Sequence, residues 1–101
     1  MRIAVLGAGA WGTALAIAFA ARHDVVLWAR DAQRIADMAR ERVNSRYLPE
    51  CPFPTGLQLT ADFSLALANA DLALLAGPLA GLRDLLGRLK ATAPEIPFLW
   101  V

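Results

Sequence analysis

The chain has one cysteine, Cys51, and one histidine, His23, among its 101 residues. A single thiol excludes an internal disulfide and fits a reducing compartment such as the cytoplasm. Cys51 is also a poor nucleophile candidate: no histidine follows it, and Cys51-Pro52 sits in a proline-rich stretch that reads as structural. Without a cluster of His, Cys, Asp or Glu the sequence offers no metal site. His23, at the expected end of the first helix, suits a cap or dipole role better than a catalytic one. Charge of one sign is lacking too. Ten basic and nine acidic residues leave a net +1, so there is no electrostatic footprint for nucleic acid. Repeats, low-complexity tracts and internal linkers are absent, and residues 1–101 read as one domain.

The longest gap in charge runs from Ile3 to Ala21. It leaves a secretory signal or membrane span conceivable, and Ala18-Phe19-Ala20 imitates a signal-peptidase site. Against both stand a basic flank of one residue, Arg2, and a following segment that resumes as a strand, so no stable membrane insertion is expected. What fills the chain instead is apolar. A hydrophobic content of 57% is high for a short domain, which suggests that some of it covers a neighbour.

Residues 3–30 organise the rest. Ile3 to Leu6 reads as a short buried strand, followed by Gly7-Ala8-Gly9-Ala10-Trp11-Gly12, an Ala-rich helix, and a second strand from Asp24 to Ala29. The glycines fall at G-x-G-x-x-G spacing inside a strand–turn–helix–strand unit of about thirty residues, the setting in which that motif binds dinucleotides. Gly7 permits the tight turn, Gly9 lets backbone approach a pyrophosphate, and Gly12 lets the helix lie close to the strand. The first helical turn then offers unpaired N–H groups and a positive dipole end to phosphate. The remaining alternative is a glycine turn that binds nothing.

At the tip of the second strand, where NAD-selective domains place an acid for the ribose 2′-hydroxyl, the chain reads Ala29-Arg30-Asp31. Arg30 offers a guanidinium to a 2′-phosphate, favouring NADP or use of both cofactors. Asp31 competes as the acid but looks more like a helix N-cap.

The pattern predicts a helix over 32–42, with Ile35, Ala36, Met38 and Ala39 inward and Arg34, Asp37, Arg40 and Glu41 on a solvated face. A long loop with three prolines follows over 44–56, functional or mobile by its length. Next come a strand over 57–60 and a helix capped by Asp62, with Phe63, Ala66, Leu67 and Ala70 on one face. A fully apolar strand over 72–76 then ends at Gly77-Pro78, at the carboxyl edge where open α/β sheets take ligands. Leu79, Leu82, Leu86 and Leu89 repeat as core through a helix to about Lys90, and 98–101 is a fifth strand. Strands alternating with helices predict an α/β doubly wound parallel sheet of order 3-2-1-4-5, with cofactor across the carboxyl ends of strands one and four.

The chain resembles the amino-terminal domain of bacterial NAD(P)-dependent glycerol-3-phosphate dehydrogenases, enzymes of phospholipid precursor synthesis. The resemblance rests on G-A-G-A-W-G-T-A-L-A at 7–16, W-A-R at 28–30, N-S-R-Y-L-P at 44–49, L-x-L-T-x-D at 57–62, A-D-L-A-L-L-A-G-P at 70–78 and Leu99-Trp100. It implies a Rossmann-type domain over 1–101, truncated before a helical carboxyl-terminal domain. It implies oxidoreductase chemistry: hydride transfer between NAD(P)H and dihydroxyacetone phosphate, giving glycerol 3-phosphate. By resemblance, Gly7, Gly9, Ala10, Trp11 and Gly12 would line the pyrophosphate of NADP or NAD. Arg30 would meet the adenosine ribose or its 2′-phosphate, Tyr47 would border the cofactor, and Pro78 would lie near the ribose–nicotinamide side. Two departures stand out. Ala10 replaces a common Ser or Thr, losing one hydroxyl contact to phosphate, and Gly77-Pro78-Leu79 replaces V-P-S. No catalytic acid, base or substrate-phosphate clamp can be assembled from these residues, so this stretch alone is expected to bind cofactor and catalyse nothing. A homodimer is compatible with the resemblance. Alternatives are the cofactor domain of another two-domain hydroxy- or keto-acid dehydrogenase, and a stand-alone NAD(P)-sensing module.

Overall fold

The computed structural model describes residues 1–101, the side chain of Leu79 excepted. Its elements are β1 (Arg2–Leu6), α1 (Ala10–Ala20), β2 (Asp24–Trp28), α2 (Ala32–Glu41), β3 (Leu57–Thr60), α3 (Phe63–Leu67), β4 (Leu72–Leu75), α4 (Leu79–Thr92) and β5 (Phe98–Trp100). The strands form one parallel sheet of order β3-β2-β1-β4-β5, as expected.

Successive residues of a strand point to opposite faces, and each face gathers its own core. Ile3 and Val5 of β1, Val25 and Leu27 of β2 and Leu57 of β3 pack with Ala16 of α1 and with Ile35 and Met38 of α2. Ala4 and Leu6, Val26 and Trp28, and Ala73 and Leu75 pack with Phe63 and Leu67 of α3 and with Leu85 and Leu89 of α4. Strands covered on both sides must be apolar almost throughout, which is why β1 and β4 carry no alternation of polar residues. The chain winds outward from β1 to β3, then returns to pair β4 on the other flank of β1. The carboxyl ends of β1 and β4 therefore lie side by side, with Leu6 opposite Leu75, while their chains depart to opposite faces of the sheet.

Several elements end a residue or two from the sequence expectation. Strands β2 and β4 stop at Trp28 and Leu75, and α4 runs on to Thr92. Helix α2 stops at Glu41 because Arg42 turns left-handed, with φ +58°, and its guanidinium donates to the Pro54 and Leu57 carbonyls at 2.8 and 3.0 Å. The inward face of α2 is narrower than the pattern predicts: Ile35 and Met38 are buried, whereas Ala36 and Ala39 are exposed. Leu89 is buried and Leu82 and Leu86 half-buried, but the fully covered partner of Leu89 is Leu85, one position off the expected stripe. Leu79, the first of that stripe, lies outside the described side chains. The charge-free segment 3–21 is a strand plus an eleven-residue helix. Among the described residues no helix is long and apolar enough to cross a membrane.

Candidate functional site

The site begins where β1 ends. Gly7 sits at φ +125°, and a Cβ there would collide with the Ala76 carbonyl oxygen. Its N–H donates to the Trp28 carbonyl at 2.9 Å, so the turn is fastened to β2 as it leaves β1. A Cβ on Gly12 would run into the Gly7 carbonyl oxygen and lie 3.1 Å from the Ala76 side chain. These two glycines are therefore demanded by the fold itself, Gly7 by its turn and Gly12 by the close approach of α1 to β1 and β4.

Gly9 differs. Its φ is −76°, available to any residue, and a Cβ built on it meets nothing within 4 Å. Protein packing gives no reason for a glycine there, and the space it leaves faces outward. Gly9 is also the N-cap of α1, and it contributes no side-chain cap. Pro78, N-cap of α4, contributes none either. By contrast, α2 is capped by Asp31, which accepts from the Gln33 and Arg34 N–H groups at 2.9 and 3.3 Å, and α3 by Asp62, which accepts from Leu65 N–H at 3.0 Å. The two helices that flank the β1/β4 switch point thus keep their first-turn donors and positive dipole ends free of carboxylates, a setting for an external anion.

Two crevices open on either side of the glycine turn. One, of about 140 Å³, is lined by Gly7, Trp28, Arg30, Gly77, Pro78, Gly81, Leu82 and others. The second, of about 210 Å³, is lined by Gly9, Ala10, Trp11, Gly12, Ala76, Gly77, Pro78 and Val101. Pro78 borders both. Trp11 stands 60% exposed at the head of α1. An anion seat between two shallow, mostly apolar recesses suits a ligand with two ring-bearing halves joined by phosphates. The residues predicted from sequence fall on this frame, Gly7, Gly9, Ala10, Trp11, Gly12 and Pro78 at its centre and Arg30 at the outer edge of the first crevice.

Tyr47 sits to one side, in the 44–56 loop, with the guanidinium groups of Arg34 and Arg46 at 5.1 and 5.3 Å from its ring centre. The same Arg34 donates to the Ala8 carbonyl at 3.2 Å, which brings the loop against the glycine turn. Arg34 is therefore no part of a solvated face. Its neighbours Asp37, Arg40 and Glu41 are, paired among themselves at 3.1 and 3.6 Å.

In the sequence Asn44 stands out only as the first residue of the N-S-R-Y-L-P segment. It is 1% exposed and donates to the Ala8 carbonyl at 3.0 Å and the Thr13 hydroxyl at 2.9 Å. Its Oδ1 accepts from Arg34 and from Tyr47 N–H, both at 3.4 Å. One buried amide thus ties the loop, the glycine turn and α1 together. A faint signal for it exists: Thr13 is the lone hydroxyl in the charge-free run and, buried, needs a partner.

The other candidates resolve simply. His23 closes the turn after α1 through its backbone, N–H to the Phe19 carbonyl at 2.9 Å, while its ring lies beside Phe19. Cys51 is exposed. Among the described residues no group of His, Cys, Asp or Glu could hold a metal ion.

Known proteins resemble this chain in sequence and fold. A family model described as the NAD-dependent glycerol-3-phosphate dehydrogenase N-terminus matches residues 2–101. The chain is 61% identical over 100 residues to a glycerol-3-phosphate dehydrogenase (NAD(P)+) of Aromatoleum aromaticum, a match covering 99% of this chain and 30% of that protein. It is 50% identical over 101 residues to the enzyme of the same name from Thiobacillus denitrificans, covering 100% of this chain and 31% of the relative. The crystal structure of glycerol-3-phosphate dehydrogenase from Coxiella burnetii superposes with a TM-score of 0.92 at 35% identity, over 98% of this chain and 31% of that one. The chain thus spans about a third of the length of these relatives.

Proposed function

The chain belongs to the family of glycerol-3-phosphate dehydrogenase amino-terminal domains, and we propose that it is the NAD(P)-binding half of such an enzyme, which transfers hydride between NAD(P)H and dihydroxyacetone phosphate to form glycerol 3-phosphate. Membership, together with the W-A-R and N-S-R-Y-L-P segments, supports this reading over a dehydrogenase of hydroxy or keto acids. Residues 1–101 act as one cofactor domain.

The residues fit the cofactor. The observation that carries the proposal is Gly9, a glycine that the protein's own packing does not need, at the mouth of an uncapped helix on the β1/β4 switch point. Backbone N–H groups of Ala10, Trp11 and Gly12 would hold the pyrophosphate. Arg30 would hold the adenosine ribose or its 2′-phosphate, and Tyr47 and Pro78 would border the ring-bearing halves. Ala10 gives no hydroxyl to the phosphate, so the contact there is purely backbone. When bound, the cofactor supplies the hydride. The domain's own part is to fix the pyrophosphate, orient the nicotinamide along the carboxyl edge of the sheet and exclude water from one side of it. Donors for the substrate's phosphate and carbonyl belong, on this proposal, to parts of the enzyme outside 1–101. The setting is cytoplasmic, and a homodimer is the proposed assembly.

Calorimetric titration of the chain with NADH and with NADPH tests the proposal. Saturable binding should disappear in Gly9→Val while the circular dichroism spectrum stays unchanged, because the added side chain enters open space. Undiminished binding by the variant would overturn the assignment.

A further inference from the structure

At the rim of the first crevice, Arg30 is not free. Its guanidinium Nη2 lies 2.7 Å from Oδ2 of Asp84 on α4, with the two side chains 69% and 63% exposed. The pair links the end of β2 to the second turn of α4, beside a recess whose walls include Trp28, Arg30, Gly81 and Leu82. The acid one residue further along, Asp31, is spent on the cap of α2. Asp84 is therefore the carboxylate that meets the cation set to receive the adenosine end of the cofactor.

We propose that Asp84 is a specificity-determining residue that biases the domain against the 2′-phosphate of NADPH; the proposal rests on the cofactor-binding reading above. A ribose carrying a 2′-hydroxyl leaves the Arg30–Asp84 pair in place, and Asp84 can accept from that hydroxyl. A 2′-phosphate must take Arg30 away from Asp84 and then sit within a few ångströms of an uncompensated carboxylate. Both costs fall on NADPH alone. The acid that NAD-selective domains place at the tip of the second strand is here supplied across the crevice by a helix. As an exposed pair it contributes little to folding, yet a like charge facing the phosphate still discriminates. Two unit charges about 4 Å apart in water change an equilibrium about fivefold, and salt screens that effect.

The test compares dissociation constants for NADH and NADPH at low salt in the wild-type chain, Asp84→Asn, and the control Asp37→Asn, which removes a carboxylate from the solvated face of α2. The expected result is that Asp84→Asn tightens NADPH about fivefold without tightening NADH, that the gain shrinks as salt is added, and that Asp37→Asn changes neither. Equal changes for both cofactors, or none, would overturn the role of Asp84 while leaving the cofactor site standing. A folded chain that binds neither cofactor in any variant would overturn both.

Discussion

Replacing Asn44 with alanine should be among the most damaging single changes available outside the hydrophobic core. The amide is buried and donates to the Ala8 carbonyl and to the Thr13 hydroxyl, which is itself fully buried. Two net hydrogen bonds are worth about 1 kcal/mol each, and stranding the Thr13 hydroxyl adds about 1 kcal/mol or more. The Ala8 carbonyl keeps Arg34 at 3.2 Å and is not stranded. The expected loss is therefore about 2–4 kcal/mol, set against a total stability of about 5–15 kcal/mol for a domain of this size. Urea unfolding followed by circular dichroism should show a lower midpoint at an unchanged slope. The pairing itself is isolated by a cycle with Thr13→Val. The double variant should lose about 1 kcal/mol less than the sum of the singles, because each single change already breaks the shared bond. An Asn44→Ala protein within about 0.5 kcal/mol of wild type, or a strictly additive cycle, would refute the idea that this amide fastens the loop to the glycine turn.

The glycines should separate by stability. Gly12→Ala forces α1 away from the Gly7 carbonyl and should cost about 3 kcal/mol or prevent folding, whereas Gly9→Ala should cost no more than about 1 kcal/mol, the difference between glycine and alanine at a helix N-cap; denaturant melts of the two decide it. Asp31→Ala and Asp62→Ala each remove a helix cap seen in the structure, and each should lower stability by about 1 kcal/mol in the same assay. Arg30→Ala should weaken NADPH more than NADH, since the 2′-phosphate alone needs the guanidinium; equal weakening, measured calorimetrically, would make Arg30 a stacking or structural residue.

The sheet order was legible because its causes are local. Apolar runs bounded by Gly and Asp mark strands covered on both faces, and alternation with helices leaves few ways to connect them. The caps at Asp31 and Asp62 were legible too, since a cap is read from its neighbours two or three residues on. Arg34 and Asn44 were not, because their partners lie 26 and 36 residues away in sequence, and no periodicity announces a contact with a backbone carbonyl across that span. The Arg30–Asp84 pair spans 54 residues and was hidden for the same reason. The sequence pattern gives helix α2 too broad an apolar face because alanine satisfies a hydrophobic pattern without needing burial, as Ala36 and Ala39 do. The high apolar content has a visible counterpart in Phe98, Leu99 and Trp100, all exposed on the edge strand β5.

The central claim is that a dinucleotide seats its pyrophosphate on the first turn of α1 and its adenosine end beside Arg30. Backbone amide shifts of the isotope-labelled chain, followed by NMR as NADH is added, test it most directly. The largest changes should fall on Gly9, Ala10, Trp11 and Gly12, with smaller ones at Arg30 and Gly77. Saturable binding that leaves those amides in place and moves instead the outer groove of α4, between Leu82 and Lys90, would contradict it.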